Sequence, residues 1–419
     1  MAPDLASDPG DNPREDLDAR QRAWRATRDP VVIWPGLNLD ALQHAADCIG
    51  SVTARIINDG EGELSRGADV DARAFGVAGL VTGMGPLLGW WLERGILDCD
   101  EDVAGVLREH LAHARLRQKR MTAGVSPALR ALQFAGVTPV IIKGFHTSRR
   151  YFPDPATRPL ADVDVVVDPS EIERAELALR TAGFSPSPRI EKPYKRNWYP
   201  PDHDARVWSL ELWHERSPWT VELHGGVSFE DLSRNGVRLD TRNGFAGAAH
   251  LAGSGVRVAT EPLLVALLAV HLSTELHASR LLRVIELIFV ARQDAAAGLL
   301  DWEGVGDLLA RSHALRYAYP ALALAEQLVP GTVAPAMLAR ASRASTAAAR
   351  RVVKRLTPTS SIVERGVSMS QRLMWATTPL QVARRLAAFV APQPDADLRL
   401  VLAAYAGRAR RFVTGHVTR

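Results

Sequence analysis

Residues 138–167 read TPVIIKGFHTSRRYFPDPATRPLADVDVVV, and the rest of the chain is organised around them. This stretch predicts a strand, a turn, a short basic helix, a loop interrupted by proline and a second strand. The first strand is the β-branched run from Val140 to Ile142. It ends at Lys143-Gly144, where the backbone can approach a ligand closely because glycine has no side chain. The turn is therefore a candidate phosphate-binding position.

The second strand carries two carboxylates on one face. Val163, Val165 and Val167 alternate with Asp162 and Asp164, and the two-residue repeat of a strand puts the valines on one face and the aspartates on the other. At phosphoryl- and nucleotidyl-transfer sites, Mg²⁺ or Mn²⁺ commonly compensates such a pair. The alternative is an exposed strand face that is simply charged, because Asp-x-Asp alone is a short pattern.

Length and composition set the class of the protein. A chain of 419 residues, 47% hydrophobic and 23% charged, is typical of a globular protein with two or three lobes. The net charge of +4 suits an anionic ligand such as a nucleotide but does not require nucleic acid. Cys48 and Cys99 lack the spacing of a zinc site or a disulfide framework, which favours the cytoplasm. No apolar window reaches the roughly 18 residues of a membrane span, so no membrane partner is expected.

The hydrophobic pattern divides the chain into four segments. They are a disordered tail (1–30), an N-terminal helical lobe (31–136), an α/β lobe (137–258) and a C-terminal helical region (259–419). In the second segment, the apolar run 75–93 predicts one helix that Gly95 closes. In the fourth, the many arginines after Ala336 favour a solvated helical face over a surface for an anionic partner.

Two helices and a hairpin follow the central stretch. Asp168 begins a helix that Gly183 ends, and Thr260 begins another in which His271 and His277 flank a polar break. A lone histidine on an apolar helix is more often a core residue than a ligand, and that alternative stays open here.

The predicted hairpin joins strands at 206–212 and 219–223. In its second strand, Glu222 and His224 alternate with the apolar residues between and before them. If this strand lies beside the Asp-x-Asp strand, Glu222 completes a metal cluster of three carboxylates with Asp162 and Asp164.

The succession of these motifs resembles the uncharacterised bacterial nucleotidyltransferase family of the polymerase-β-like superfamily. Its members carry a Leu-Lys-Gly turn, an arginine shortly before Asp-x-Asp, a later Glu-x-His and a helix with two histidines. The corresponding residues here are Ile142-Lys143-Gly144, Arg158, Asp162-Val163-Asp164, Glu222-Leu223-His224, and His271 with His277. The resemblance spans nearly the whole chain after its first 30 residues. It implies an α+β fold in which a polymerase-β-like nucleotidyltransferase sheet lobe lies between helical N-terminal and C-terminal regions.

The resemblance also implies a reaction, in which a nucleoside monophosphate passes from an NTP to a hydroxyl-bearing acceptor. Asp162 and Asp164 would hold Mg²⁺ or Mn²⁺, and Glu222 would bind a second metal ion or act as base toward the acceptor. Residues implied for binding the nucleotide and its phosphates are Lys143, Gly144, His146, Arg158, His224, His271 and His277. A small molecule or peptide, as in natural-product tailoring, is favoured over nucleic acid as the acceptor.

Two departures from the family pattern separate this chain from better-known relatives. Those enzymes have Gly-Ser where this chain has Lys143-Gly144, so the lysine ammonium is expected to act as a point charge toward phosphate. The acidic residue of the later helix is Glu286 where the family often has aspartate. Two alternatives stay open, namely sugar or phosphoryl transfer on the same fold and a non-catalytic nucleotide-binding scaffold.

Overall fold

The computed structural model describes the central part of the chain. The residues described are 34, 36–66, 70–187, 194–203, 218–230, 236–241, 249–250, 255–276, 281–359, 371 and 373–390. The predicted tail 1–30, the predicted strand 206–212 and His277 lie outside these ranges. Helices and strands are mixed as the sequence predicted, which confirms an α+β fold with flanking helices. The polymerase-β-like character of the sheet lobe stays a prediction.

A mixed sheet of seven strands occupies the centre of the described part. From one edge to the other its strands are β10 (Ala249–His250), β11 (Arg257–Val258), β3 (Val140–Ile141), β4 (Asp162–Val166), β7 (Thr220–His224), β6 (Lys195–Tyr199) and β5 (Ser185–Pro186). Strand β7 runs parallel to β4 on one side and antiparallel to β6 on the other. The Asp-x-Asp strand and the Glu-x-His strand are thus direct neighbours.

Two smaller sheets accompany the central one. Strands β1 (Gly62–Leu64) and β2 (Leu97–Cys99) pair in parallel among the N-terminal helices. Strands β8 (Ser228–Glu230) and β9 (Gly236–Arg238) form an antiparallel pair directly after β7. After this second pair the chain returns to the central sheet as β10 and β11, and the C-terminal helices follow.

The helices before the sheet differ from the prediction in where they break. In the described residues they are α1 (Leu39–Asp59), α2 (Ala72–Thr82), α3 (Gly85–Glu93) and α4 (Glu101–Phe134). The single helix predicted over 75–93 is wrong, because Gly83 adopts φ +76° and ends α2, and α3 departs at 114°. Gly95 closes α3 as predicted, with φ +68° and its N–H donated to the Leu92 carbonyl.

No single helix in the described ranges is long and apolar enough to cross a membrane. Among the described helices, α2 and α3 reach the length and apolar composition of a membrane span only when they are taken together, and the chain bends sharply between them.

The helix α4 is the longest helix in the described residues. It runs without a break for 34 residues and includes Pro127. Its start is capped by Asp100, whose carboxylate accepts a hydrogen bond from Val103 N at 3.2 Å. Gly124 lets it approach the start of β7, because a Cβ there would lie 2.5 Å from the Trp219 ring. The long helix thereby packs closely against the sheet.

Shorter helices lie beside and after the sheet. They are α5 (Thr147–Arg150), α6 (Ile172–Thr181), α7 (Leu263–Thr274), α8 (Leu281–Ala296), α9 (Trp302–Arg311), α10 (Leu315–Leu328), α11 (Pro335–Ala344), α12 (Ala347–Val353) and α13 (Pro379–Val390). Asp168 caps the 3₁₀ turn that leads into α6, and Gly183 follows its end at φ +86°, as predicted. The predicted cap of α7 by Thr260 is wrong, because the carboxylate of Glu261 accepts from Val265 N instead.

The two faces of the sheet are covered by separate hydrophobic clusters. Val163 and Val165 pack together with apolar residues of β7 against α4 and α6. This packing confirms the predicted apolar face of β4. Val140, Ile142 and Val166 join a larger cluster that includes helices from both ends of the chain. The N-terminal and C-terminal helices thus share one core, and the lobe boundaries at 136 and 258 stay a prediction.

Candidate active site

The register of β4 and β7 brings two carboxylates together. Asp164 lies directly opposite Glu222, and the pair is buried. His224 lies nearby, with its Nε2 at 3.2 Å from Asp164 Oδ1 and 3.6 Å from Glu222 Oε2. One ligand atom from each of these three residues lies within 4.8 Å of the others. These two carboxylate oxygens and one imidazole nitrogen are thus close enough together to hold one metal ion.

Two lysines compensate the carboxylates. Lys143, in the turn after β3, has its Nζ at 3.1 Å from Asp164 Oδ1. Lys195, the first residue of β6, has its Nζ at 2.5 Å from Glu222 Oε2. Both lysine side chains are largely buried, with 12% and 15% of their surface exposed. Without these partners the buried carboxylates would carry a large desolvation cost.

The close charges shift the pKa of each group. Burial alone would raise the pKa of Asp164, but Lys143 and the hydrogen bond from His224 hold it well below its usual range. The pKa of Glu222 is lowered in the same way, since His224 and the lysines outweigh burial. The pKa values of Lys143, Lys195 and His224 are all raised, because the carboxylates outweigh the effect of burial. Each of these shifts favours the charged form of its group.

Asp162 differs electrostatically from Asp164, although both lie on the same strand face. Burial and the charges of Asp164 and Glu222 raise the pKa of Asp162 to about 6. Asp162 is also not one of the three residues whose ligand atoms lie within 4.8 Å of one another; the third residue beside Asp164 and Glu222 is His224. The predicted trio of Asp162, Asp164 and Glu222 is thus close in the sheet, and the ligand role of Asp162 stays a prediction.

Helix α7 forms the opposite wall of the pocket that contains this cluster. His271 and Glu275 line it from α7, and Phe229 lines it from β8. The Nε2 of His271 lies 3.5 Å from Glu275 Oε2, and Arg283 Nη1 lies 2.6 Å from the same oxygen. Burial and the charge of Lys143 lower the pKa of His271 to about 4, so its imidazole is neutral near pH 7.

One comparison with known proteins identifies the family. Residues 92–330 match the family described as "Uncharacterised nucleotidyltransferase", and this range is more than half of the chain. The chain belongs to this nucleotidyltransferase family. The motif resemblance is thereby confirmed, and the matched range of the enzyme includes both carboxylates, both lysines and the opposite wall of the pocket. No curated protein and no solved structure matches the chain.

Arg158 of the nucleotidyltransferase lies behind the pocket rather than in its lining. Its guanidinium forms a bidentate pair with Glu286, with Nε–Oε1 at 2.9 Å and Nη2–Oε2 at 2.7 Å. The Thr147 hydroxyl donates to the same carboxylate. Gly144, at φ +46°, lies against Arg158, because a Cβ there would be 3.7 Å from the guanidinium carbon. Arg158 thus supports the Lys143-Gly144 turn, and its contact with phosphate stays a prediction.

His146 also lies outside the pocket lining. It is buried, and its ring meets Tyr151 edge-on at a centroid distance of 5.9 Å. Burial and the nearby charge of Arg150 lower its pKa to about 4. Its role in nucleotide binding stays a prediction, as does that of His277, which lies outside the described residues.

Lys195 was not identified from the sequence. It sits in the run KRNWY, where Lys195 and Asn197 alternate with Arg196 and Trp198. This alternation is a weak signal for a strand and does not reveal which acidic residue the lysine meets. Only the pairing of β6 with β7, which sets Lys195 opposite His224, brings it to Glu222.

Proposed function

We propose that this nucleotidyltransferase moves a nucleoside monophosphate from an NTP to a hydroxyl group of a small molecule or peptide, with Mg²⁺ or Mn²⁺ as cofactor. The observation that carries the proposal is the adjacency of Asp164 and Glu222 beside the Lys143-Gly144 turn. It brings carboxylate oxygens, which suit Mg²⁺ or Mn²⁺, and an ammonium, which suits a phosphate, into one pocket. A cytoplasmic location, where NTPs are abundant, fits this reaction.

The residues of the pocket fit a divalent cation. Asp164 and Glu222 would hold it through carboxylate oxygens, which both Mg²⁺ and Mn²⁺ prefer. His224 adds a nitrogen donor, and Asp162 adds a further carboxylate at the start of β4. When bound, the ion offsets negative charge on the phosphates during transfer.

The protein side chains would orient the substrates and receive one proton. Lys143 would bind a phosphate oxygen, and Gly144, at φ +46°, forms the turn that carries this lysine. The acceptor oxygen attacks the α-phosphorus, and the bond to the bridging oxygen breaks as pyrophosphate leaves with the electron pair. The acceptor proton passes to a carboxylate of the Asp162, Asp164 and Glu222 face. Positioning and charge stabilisation carry most of the rate in such a transfer.

The test combines binding with product mass. Each NTP is titrated calorimetrically into the wild-type protein with Mg²⁺ or Mn²⁺, and into Asp164→Asn and Glu222→Gln. We expect one NTP to bind more tightly when the metal ion is present, and this dependence on the metal ion should be lost in both variants. Asp307→Asn on the exposed face of α9 serves as the control. An acceptor that gains the mass of a nucleoside monophosphate would identify nucleotidyl transfer, whereas a gain of one phosphoryl or sugar unit would contradict it.

The lysine pairs also favour a second candidate, a nucleotide-binding scaffold without turnover. Because Lys143 and Lys195 already compensate Asp164 and Glu222, the pocket is electrically satisfied without a metal ion. A scaffold of this kind would bind an NTP equally well with and without Mg²⁺. The same titration, repeated in a chelator, distinguishes the two functions.

A further inference from the structure

We propose that Lys195 is a second phosphate-binding residue of this pocket, which exchanges Glu222 for the triphosphate when the carboxylates take up a metal ion. This inference rests on the proposed function, because it requires Asp164 and Glu222 to bind that ion. It adds a residue that neither the motifs nor the family match singles out.

The position of Lys195 supports this role. It begins β6 directly opposite His224, so its side chain lies on the same sheet face as His224 and Glu222. Its ammonium lines the same pocket as Lys143 and contacts the other carboxylate of the pair. The two lysines therefore approach the carboxylate pair from neighbouring strands on opposite sides.

The charges explain why Lys195 must change partners. The oxygen that Lys195 contacts, Glu222 Oε2, belongs to the cluster that would hold the cation. An ammonium and a divalent cation repel each other strongly at contact distance in a buried site. The flexible four-carbon side chain of lysine can move its ammonium while the backbone stays in β6.

The triphosphate supplies the new partner. An NTP brings about four negative charges, and once the carboxylates bind the divalent cation, the two lysine ammoniums are left to offset part of that charge. Phosphate oxygens would enter beside the ion, where both ammoniums already lie. In the absence of metal ion and triphosphate, Lys143 and Lys195 thus balance the charges of Asp164 and Glu222.

A purely structural role for Lys195 makes a different prediction, and the chain offers a matched control. Arg196, the next residue, points to the opposite face of β6 and pairs with Glu176 of α6 at 3.0 Å. It is a basic residue on the same strand with an ion pair of similar length but outside the pocket. Replacing either residue with methionine removes one ion pair of β6, but only Lys195→Met alters the pocket.

The first experiment titrates Mn²⁺ alone, and then inorganic triphosphate in the presence of Mn²⁺, into the full-length protein. For Lys195→Met we expect Mn²⁺ affinity to stay equal or increase, because a competing cation is gone, and triphosphate affinity to fall about tenfold or more. Arg196→Met should match the wild type in both titrations. Asp164→Asn should lose both, which reports on the metal site independently of Lys195.

The second experiment removes the partner instead of the lysine, and it guards against misfolding of Lys195→Met. Without metal ion, Glu222→Gln should bind inorganic triphosphate more tightly than the wild type, because Lys195 is released. The double variant Glu222→Gln with Lys195→Met should lose that gain.

Three results would overturn the inference. Triphosphate affinity of Lys195→Met equal to that of the wild type would exclude the role in phosphate binding. Equal affinities of Glu222→Gln and the double variant would exclude the exchange of partners. Unchanged Mn²⁺ binding by Asp164→Asn would remove the metal site itself and the proposed function with it, whatever Lys195 does.

Discussion

At the scale of single residues, the two carboxylates beside His224 favour its protonated form when no metal ion is bound. Its pKa is raised because the Asp164 and Glu222 contacts outweigh burial. The stability that this protonation contributes is complete below the unfolded pKa, near 6.5. It is lost as the pH rises through the higher folded value. The free energy of unfolding of the wild type and of His224→Gln is measured by denaturant titration at about pH 6 and at about pH 9. The difference in favour of the wild type should be smaller at the higher pH. A difference in the free energy of unfolding that stays constant over this pH range would contradict a raised pKa of His224.

The sequence predicted those site residues that a local alternation of polar and apolar residues reveals. Asp164 and Glu222 are recognisable because each alternates with apolar residues on its own strand. The pair of Arg158 and Glu286, by contrast, joins residues 128 positions apart, and no local pattern reports such a contact. The lysine at position 195 was missed for the same reason, since its partner depends on the pairing of β6 with β7.

At the scale of elements, helix α8 fixes the segment that carries the Lys143-Gly144 turn. Glu286 holds Arg158 and Thr147, and Asp294 accepts from Arg150 at 3.2 Å and from the Tyr151 hydroxyl at 2.8 Å. Glu286→Gln leaves the buried guanidinium without its counter-charge, so the free energy of unfolding should fall by about 3 kcal/mol. Chemical denaturation measures this loss.

The same substitution should weaken the binding of NTP, because the turn loses the support behind Gly144. Arg292→Ala, on the same helix with an exposed contact to Asn58 at 3.1 Å, is the control and should change neither quantity appreciably. A Glu286→Gln protein with wild-type stability would show that the pair does not hold this segment. Full NTP affinity in a destabilised Glu286→Gln protein would separate the helix contact from the pocket.

The sequence predicted which segments are helical but not every break between their helices. Long apolar periodicity predicted helix over 75–93, and the turn at Gly83 was missed because glycine is tolerated within helices as well as after them. The decision between one helix and two rests on packing. Gly83 lies against Leu282 of α8, where a Cβ would come within 3.0 Å, and that neighbour is distant in sequence.

At the scale of the whole molecule, helix α7 joins the sheet to both sets of helices. Its residues from Leu263 to Val270 are buried on every side, as expected for a helix at the centre of a core. One hydrophobic cluster connects α1, α7, α8 and α10 with Val140 and Val166 of the sheet. On its own, the α/β segment predicted over 137–258 would therefore lack the helices that cover one face of its sheet.

A fragment of residues 137–258 should accordingly fail to fold by itself. Its other face, with Val163 and Val165, would also lose α4, so both hydrophobic clusters are incomplete in the fragment. Circular dichroism with denaturant titration should show no cooperative transition, whereas the full chain should show one. A cooperative transition in the fragment would mean that the sheet lobe is an autonomous domain. The lysines and carboxylates of the pocket would then be ordered independently of α7, contrary to the shared core.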